Sequence, residues 1–404
     1  MHRRLWLLLA ALVVVPQCHA EELYMRAHFI DVGQGASTLL EFPCGAVLID
    51  TGAQDDAYEA ALGRYLTRFF ERRSDLRNTL NALIISHPHV DHTRGIQTVL
   101  SACRVKAYID GGIVAGSGRK GVQFIRDHAE EYQVQIREVK DEEIAALPSR
   151  TGLTDAIIDS ITCSDCDPQI RILRGSMTTN PGWDPRDFDN LGNHSLVVRV
   201  DFGASSFLFT GDLEVPALET MLSYYRGTEL LDVDVYLVGH HGSENGTTKE
   251  LLDALSPSAA VIPVGKATFG AGQARSFNTF TYGHPRRATI DLLDAALPSY
   301  RNSSIIAMVA EAPRHFIQRE IRKAIYATAW DGTVILRAEK GGRLSRDAMD
   351  NPVISETKPL SDSPQRFREV DRGGLAGEQL LYRVEIPQRI YAGGYCPNSV
   401  LLET

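Results

Sequence analysis

Past residue 20 this chain has no apolar run approaching the roughly 18 residues that a membrane-spanning helix requires. The remainder is therefore expected to be soluble. No internal repeat is visible, which sets aside solenoids and propellers. Positive charge is short: 42 Lys and Arg stand against 51 Asp and Glu, a formal net charge of −9. Basic-aromatic patches are missing as well. The surface as a whole is not built to grip phosphate backbones, although a local basic groove remains open. Cysteine is sparse, six in 404 residues, and only Cys163-Ser164-Asp165-Cys166 forms a close pair. Without a second pair a zinc knuckle lacks half its ligands, so this one reads as a tight disulfide loop.

What is present begins with a leader. Arg3 and Arg4 precede an unbroken apolar run from Leu5 to Val15, then Pro16 and a Cys18-His19-Ala20 end suited to cleavage. That is the pattern of a secretory signal over residues 1–20, too short and wrongly flanked for a stable span. It implies export, to the periplasm or beyond the cell. Gln17, which is not small, argues against a lipoprotein signal at Cys18. Behind the leader stand Cys44, Cys103, Cys163, Cys166 and Cys396, an odd set that implies at least one disulfide and one thiol left over.

Short β-type runs then alternate with helical patterns. Strands are predicted at 25–32, 37–41, 46–50, 81–86, 170–174, 195–202, 206–210, 233–238 and 259–264, and helices at 57–72, 95–101 and 123–132. Such alternation predicts a layered α/β domain. The acidic segment 141–167 reads as an insertion or long loop, and 180–193, with Trp183, Pro185 and Phe188, as a loop over a site. A helix at 289–297 ends at Pro298, and closing strands follow at 305–309, 325–329 and 333–337. One domain is thus expected over 21–340, a flexible linker rich in Ser, Pro and Gly over 341–374, and a small appendage over 375–404.

The chemistry concentrates in His87-Pro88-His89-Val90-Asp91-His92, one serine past the apolar run Leu83-Ile84-Ile85. Three imidazoles and a carboxylate on one turn are costly to leave unpaired and suited to holding metal. His87 and His89 can point to one side of a loop while Asp91 and His92 serve a second centre. Further metal-compatible residues end other apolar runs, where α/β sheets place their sites. They are Asn193-His194-Ser195, Thr210-Gly211-Asp212, Gly239-His240-His241-Gly242-Ser243 and Tyr282-Gly283-His284-Pro285. Each alone is weak, since a lone strand-end Asp is more often a turn former. As a set they point to a dinuclear metal centre.

In this order the motifs resemble the metallo-β-lactamase superfamily, and in particular the hydrolase domain of ComEC-type competence proteins. The similar stretches are Phe29-Ile30-Asp31-Val32-Gly33-Gln34-Gly35, Leu48-Ile49-Asp50-Thr51-Gly52, the hexapeptide, Asn193-His194-Ser195-Leu196-Val197, Phe209-Thr210-Gly211-Asp212-Leu213-Glu214, His240-His241-Gly242-Ser243, and Asn278 with Tyr282 to Pro285. The resemblance implies a four-layer αββα sandwich with two metal ions at one edge. Carried over, it puts His87 and His89 on the first ion, Asp91 and His92 on the second, and Asp212 between them. His240 completes the second site, ahead of His241, and His194 is available to the first. Asn278, Tyr282, His241 and Ser243 face the substrate, as does His284. Asp91 and His284 take the catalytic roles, and Asp50 orients a metal-bound imidazole. One departure stands out: Ala36 occupies a position where family members often carry Asp.

The chemistry implied is hydrolysis. Two divalent ions, zinc by preference and manganese next for a mixed His/Asp set, lower the pKa of a shared water and polarise the oxygen that gains charge. His284, given a pKa near neutral, would protonate the leaving oxygen. Two substrate classes stay open: phosphodiesters, with DNA among them, and carboxylic esters, amides or lactams. A binding protein that has lost turnover is disfavoured by the intact ligand set.

Overall fold

Neighbouring apolar residues are both buried along the central strands, Leu39 with Leu40 and Leu83 with Ile84. Successive strand side chains point to opposite faces, so both faces must be covered. The computed structural model describes residues 23–267 and 278–347, together with the backbone of two paired strands, Arg368–Glu369 and Tyr382–Arg383. The leader and most of the linker and appendage lie outside the described residues.

In chain order the strands are β1 (Tyr24–Phe29), β2 (Thr38–Phe42), β3 (Gly45–Ile49), β4 (Thr79–Ile84), β5 (Arg104–Asp110) and β6 (Gln135–Glu138). After the acidic insertion come β7 (Gln169–Arg174), β8 (Val197–Phe202), β9 (Ser205–Phe209), β10 (Val235–Leu237) and β11 (Ala259–Ile262). The last group is β12 (Tyr300–Ala312), β13 (His315–Lys323), β14 (Ile325–Ala327), β15 (Val334–Glu339) and β16 (Leu344–Arg346). One sheet runs β16-β15-β1-β2-β3-β4-β5-β6 and the other β14-β11-β10-β9-β8-β7. Their inner faces meet in one core, where Phe29 stacks on Phe209 and Phe42 tilts against Phe202, each pair 6.4 Å apart between ring centroids. Full burial of rings this size contributes about 1.5–3 kcal/mol apiece. Helices Asp56–Arg72, Ile96–Ala102 and Arg119–Asp127 cover the outer face of the first sheet. Helices Val215–Tyr225, Lys249–Leu255 and Arg287–Ala296 cover that of the second. The result is the four-layer αββα sandwich.

β3, β4 and β5 run parallel, as do β9, β10 and β11. Loops leaving the carboxyl ends of β3, β4, β9 and β10 carry Asp50, the hexapeptide, Asp212 and the His240-His241 pair respectively. One edge of the sandwich thereby collects every motif named above.

Three expectations are corrected. Residues 305–309 do not close either sheet; they lie in β12, which pairs with β13 in a separate two-stranded ribbon. The ordered sheet also continues past 340, because β16 pairs with β15. The disulfide joins Cys163 to Cys44 rather than to Cys166, which remains a buried thiol alongside Cys103. The reason is the course of the acidic insertion. Ile144, Ile158 and Ile161 are buried in the inter-sheet core, and Asn81 Nδ2 donates to the Ser160 carbonyl at 3.2 Å. That path lays Cys163 against the turn between β2 and β3, with 5.6 Å between the two Cα atoms.

The bridge closes a loop of 119 residues. Non-reducing peptide mapping is expected to recover Cys44 linked to Cys163, and the Cys44→Ala/Cys163→Ala protein to lose about 2–4 kcal/mol of unfolding free energy in denaturant titrations. A Cys163–Cys166 peptide would contradict this topology.

Candidate metal centre

The hexapeptide is held in place by its neighbours' backbones. Ala36 N donates to the Asp91 carbonyl (2.9 Å), Thr51 N to the His92 carbonyl (2.8 Å), and Gly52 N to the Ala36 carbonyl (2.8 Å). Gly52 comes so close that a Cβ there would stand 1.6 Å from the Asp91 oxygen, so only glycine fits. Ala36 thus serves through its main chain, which needs no carboxylate.

Two groups of ligand atoms result, each within 4.8 Å of one another: His87, His89 and Asp212, and Asp91, His92, Asp212 and His241. Asp212 stands in both. His87 Nε2 and His89 Nδ1 are 2.9 Å apart. Around Asp212, His92 Nε2 lies at 3.3 Å and His87 and His241 Nε2 at 3.7 Å. His241 Nε2 is also 3.1 Å from Asp91 Oδ2.

The outer nitrogens explain which rings can serve. Asp50, at a positive φ of 58°, accepts from His92 Nδ1 (2.8 Å), Ser86 N (2.7 Å) and Ser86 Oγ (2.9 Å). His241 Nδ1 donates to the Pro263 carbonyl at 2.7 Å. Fixing the proton on Nδ1 leaves each Nε2 lone pair facing inward. His241, with its side chain 2% exposed, therefore occupies the place expected of His240, whose side chain is 26% exposed. The left-handed turn at the pair decides this, sending the second ring into the sandwich edge.

His194 is not brought to the centre. Its Nε2 donates to the Phe188 carbonyl (2.7 Å) and its Nδ1 accepts from Met177 N (3.2 Å), so neither nitrogen keeps a lone pair for a cation. Its neighbours in the motif act as scaffold. Ser195 Oγ accepts from Asp212 N (3.1 Å), and Asn193 Oδ1 accepts from Glu214 N (2.9 Å), pinning the Asp212 loop. The segment 180–193 anchors on Arg174, which lies over the Trp183 ring at 5.5 Å. Asn278 caps the turn Thr279–Tyr282 through Thr281 N (2.9 Å), and Ser243 is buried, its carbonyl accepting from Thr289 Oγ1. Tyr282 is exposed, 6.0 Å between centroids from His284. Sequence reading gave no role to Ser86, Ser195 or the Pro263 carbonyl; the signal for the first was its position between β4 and the hexapeptide.

Burial works against charge on Asp212, yet the rings of His92, His241, His240 and His87 hold its carboxyl well below the ordinary range. Burial likewise opposes charge on His92, and Asp212 and Asp50 overcome it, raising that imidazole well above its usual value. His241 is raised against burial by Asp212 and Asp91. His284 goes the other way: burial, then the neighbouring His241 and His240, push it down to about 3. Held there, the imidazole is neutral at pH 7, so the condition set for an acid role, a value near neutral, is not met.

A divalent ion at these donors must displace protons from the raised His92 and His241. Apparent zinc affinity is therefore expected to rise between pH 6 and pH 8, with net proton release in calorimetry across buffers of different ionisation enthalpy. Asp50→Asn should weaken zinc binding by about 10–100-fold while the fold persists by circular dichroism. Affinity independent of pH would contradict the donor assignment.

The metallo-beta-lactamase superfamily model matches residues 30–266. ComE operon protein 3 of Bacillus subtilis is 26% identical over 65% of this chain and 30% of its own length. Recombination protein 2 of Haemophilus influenzae is 28% identical over 59% of this chain and 24% of its own. The chain thus spans under a third of these relatives. Among solved structures, the metallo-beta-lactamase fold protein YhfI from Bacillus subtilis is 11% identical with a TM-score of 0.38, covering 69% of this chain and 94% of that one. With the family model matched over more than half of this chain and the ligand groups gathered at one sandwich edge, this chain belongs to the metallo-beta-lactamase superfamily.

Proposed function

We propose that this protein is an exported, dinuclear metal-dependent phosphodiesterase, with DNA a candidate substrate. The observation that carries the reading is Asp212, one buried carboxylate shared by two ligand groups. His87, His89 and Asp212 would hold one divalent ion, and Asp91, His92, His241 and Asp212 the other. When bound, such ions supply Lewis acidity and an activated water at neutral pH, with zinc best suited to the donors and manganese next.

The residues around the centre prepare the substrate. His284 is buried, its Nδ1 meets no hydrogen-bond partner among the described residues, and its ring lies parallel to His241 at 6.4 Å. A neutral imidazole there can hydrogen-bond a phosphoryl oxygen and keep its own proton, acting by orientation and charge stabilisation. Tyr282 presents its ring beside it at the mouth. Asp91 Oδ2 lies 3.1 Å from His241 Nε2, and the two would share the second ion. The name of one relative, recombination protein 2, supports a nucleic-acid substrate. Export is supported by the leader sequence and by the Cys44–Cys163 bridge, since such bridges persist in oxidising compartments. No described helix is long and apolar enough to cross a membrane.

Metal-loaded protein is expected to hydrolyse bis-p-nitrophenyl phosphate or p-nitrophenyl phosphocholine in preference to a chromogenic cephalosporin. His284→Ala should cost about 10²-fold in kcat on the phosphodiester. Linear and plasmid DNA with added zinc or manganese then test the nuclease form. Turnover of the cephalosporin with neither phosphodiester would replace this reading with carboxylic ester, amide or lactam hydrolysis.

A further inference from the structure

The buried and half-buried arginines of this protein are matched by acids. Arg26 and Arg73 meet Glu41, Arg126 meets Asp110, Arg174 faces Asp141, Arg199 meets Asp201 and Arg301 meets Asp331. Arg286 breaks the pattern. It is half-buried, its Nε is enclosed without a hydrogen-bond partner, and no acid pairs with its guanidinium among the described residues. Its neighbour Arg287 is exposed and nonetheless paired, with Glu311 at 2.7 Å and Asp291 at 3.5 Å. A guanidinium cannot shed its charge, so one withdrawn from water calls for an anion.

The chain fixes Arg286 beside the metal centre. Its backbone N donates to the Gly242 carbonyl at 2.8 Å, one residue past His241. Pro285 packs on the same Gly242, where an added Cβ would stand 2.7 Å from the proline Cβ. Two residues back, the His284 ring lies 5.7 Å from that of His240 and 6.4 Å from that of His241. The charge of Arg286 is felt at His284, whose own Nδ1 is buried without a partner. Two enclosed nitrogens, one on each side of Pro285, are thus left for a ligand to meet.

We infer that Arg286 holds a second phosphate of the substrate, next along the chain from the one that meets the ions. This rests on the phosphodiesterase reading above and narrows its substrate to phosphodiesters with a further anionic phosphate, as an oligonucleotide strand has. The reacting phosphate is already provided for by the ions and His284. Arg286 makes no hydrogen bond or ion pair with the two ligand groups among the described residues, so it stands outside them. Its planar fork of N–H donors matches phosphate oxygens. With a formal net charge of −9 the surface at large repels a polyanion, and an unpaired cation beside the centre is a local feature able to retain one.

The test follows cleavage of the internal diester by metal-loaded full-length protein on three substrates: TpT, with one phosphate, and pTpT and TpTp, which add a second at either end. Wild type is expected to show a KM about tenfold lower on one of the doubly phosphorylated substrates than on TpT, with kcat little changed. Arg286→Ala should raise KM on that favoured substrate about tenfold and on TpT by less than about threefold, and Arg286→Lys should restore part of the preference. Arg287→Ala, which removes an arginine already paired, should keep it. A wild type that treats all three substrates alike would overturn the inference, as would an Arg286→Ala protein that keeps the preference or loses equally on all three. Turnover of no phosphodiester would overturn the phosphodiesterase reading, and this inference with it.

Discussion

At the edge of the sandwich one carboxylate lies among four imidazoles, and the rest of the site is arranged around that contact. Asp212 comes from the second sheet; His87 and His92 come from the first, and His240 and His241 from the next strand along. Polar groups this densely buried are tolerated only when each finds a partner, since an unpaired one costs several kcal/mol. The partners come from both halves of the molecule: Asp50 and Ser86 behind His92, the Pro263 carbonyl behind His241, and Ser195 under the Asp212 backbone. The apolar core between the sheets holds these halves in register, and the site is present only when they are docked.

Much of this was legible in the sequence, for physical reasons that differ by element. Buried strands such as β2, β3 and β4 declare themselves because apolar side chains fill both faces. β5 and β6 were missed: β5 begins by alternating exposed and buried residues, and β6 is polar and only partly covered. The hexapeptide was legible because three imidazoles on one turn have few other uses. The choice between His240 and His241 was not, because it depends on two successive left-handed residues that no composition reveals. His194 misled for a related reason. Its residue type suits a metal, yet its two nitrogens are taken by the Phe188 carbonyl and Met177 N, contacts made by chain that the motif does not contain. The Cys163-x-x-Cys166 spacing likewise could not announce a partner 119 residues away.

The electrostatics separate the roles of the histidines. His92 and His241 are drawn toward the charged form by Asp212, Asp50 and Asp91, so a cation there replaces protons already attracted, whereas burial holds His87 and His89 below the ordinary imidazole value. Burial, and then the imidazoles of His241 and His240, hold His284 neutral against the weaker pull of Asp212. His92 and His241 are thus suited to holding positive charge, and His284 to greeting an anionic or polarised substrate oxygen. The acidic surface as a whole does not attract nucleic acid, so any such substrate must be drawn by the bound cations and the local rim.

Metal content measures the central claim most directly. After equilibrium dialysis against zinc, wild-type protein is predicted to retain two ions per chain, and Asp212→Ala to lose the pair, holding at most one weakly. Fewer than two ions in the wild type, or two held undiminished without Asp212, would contradict the account.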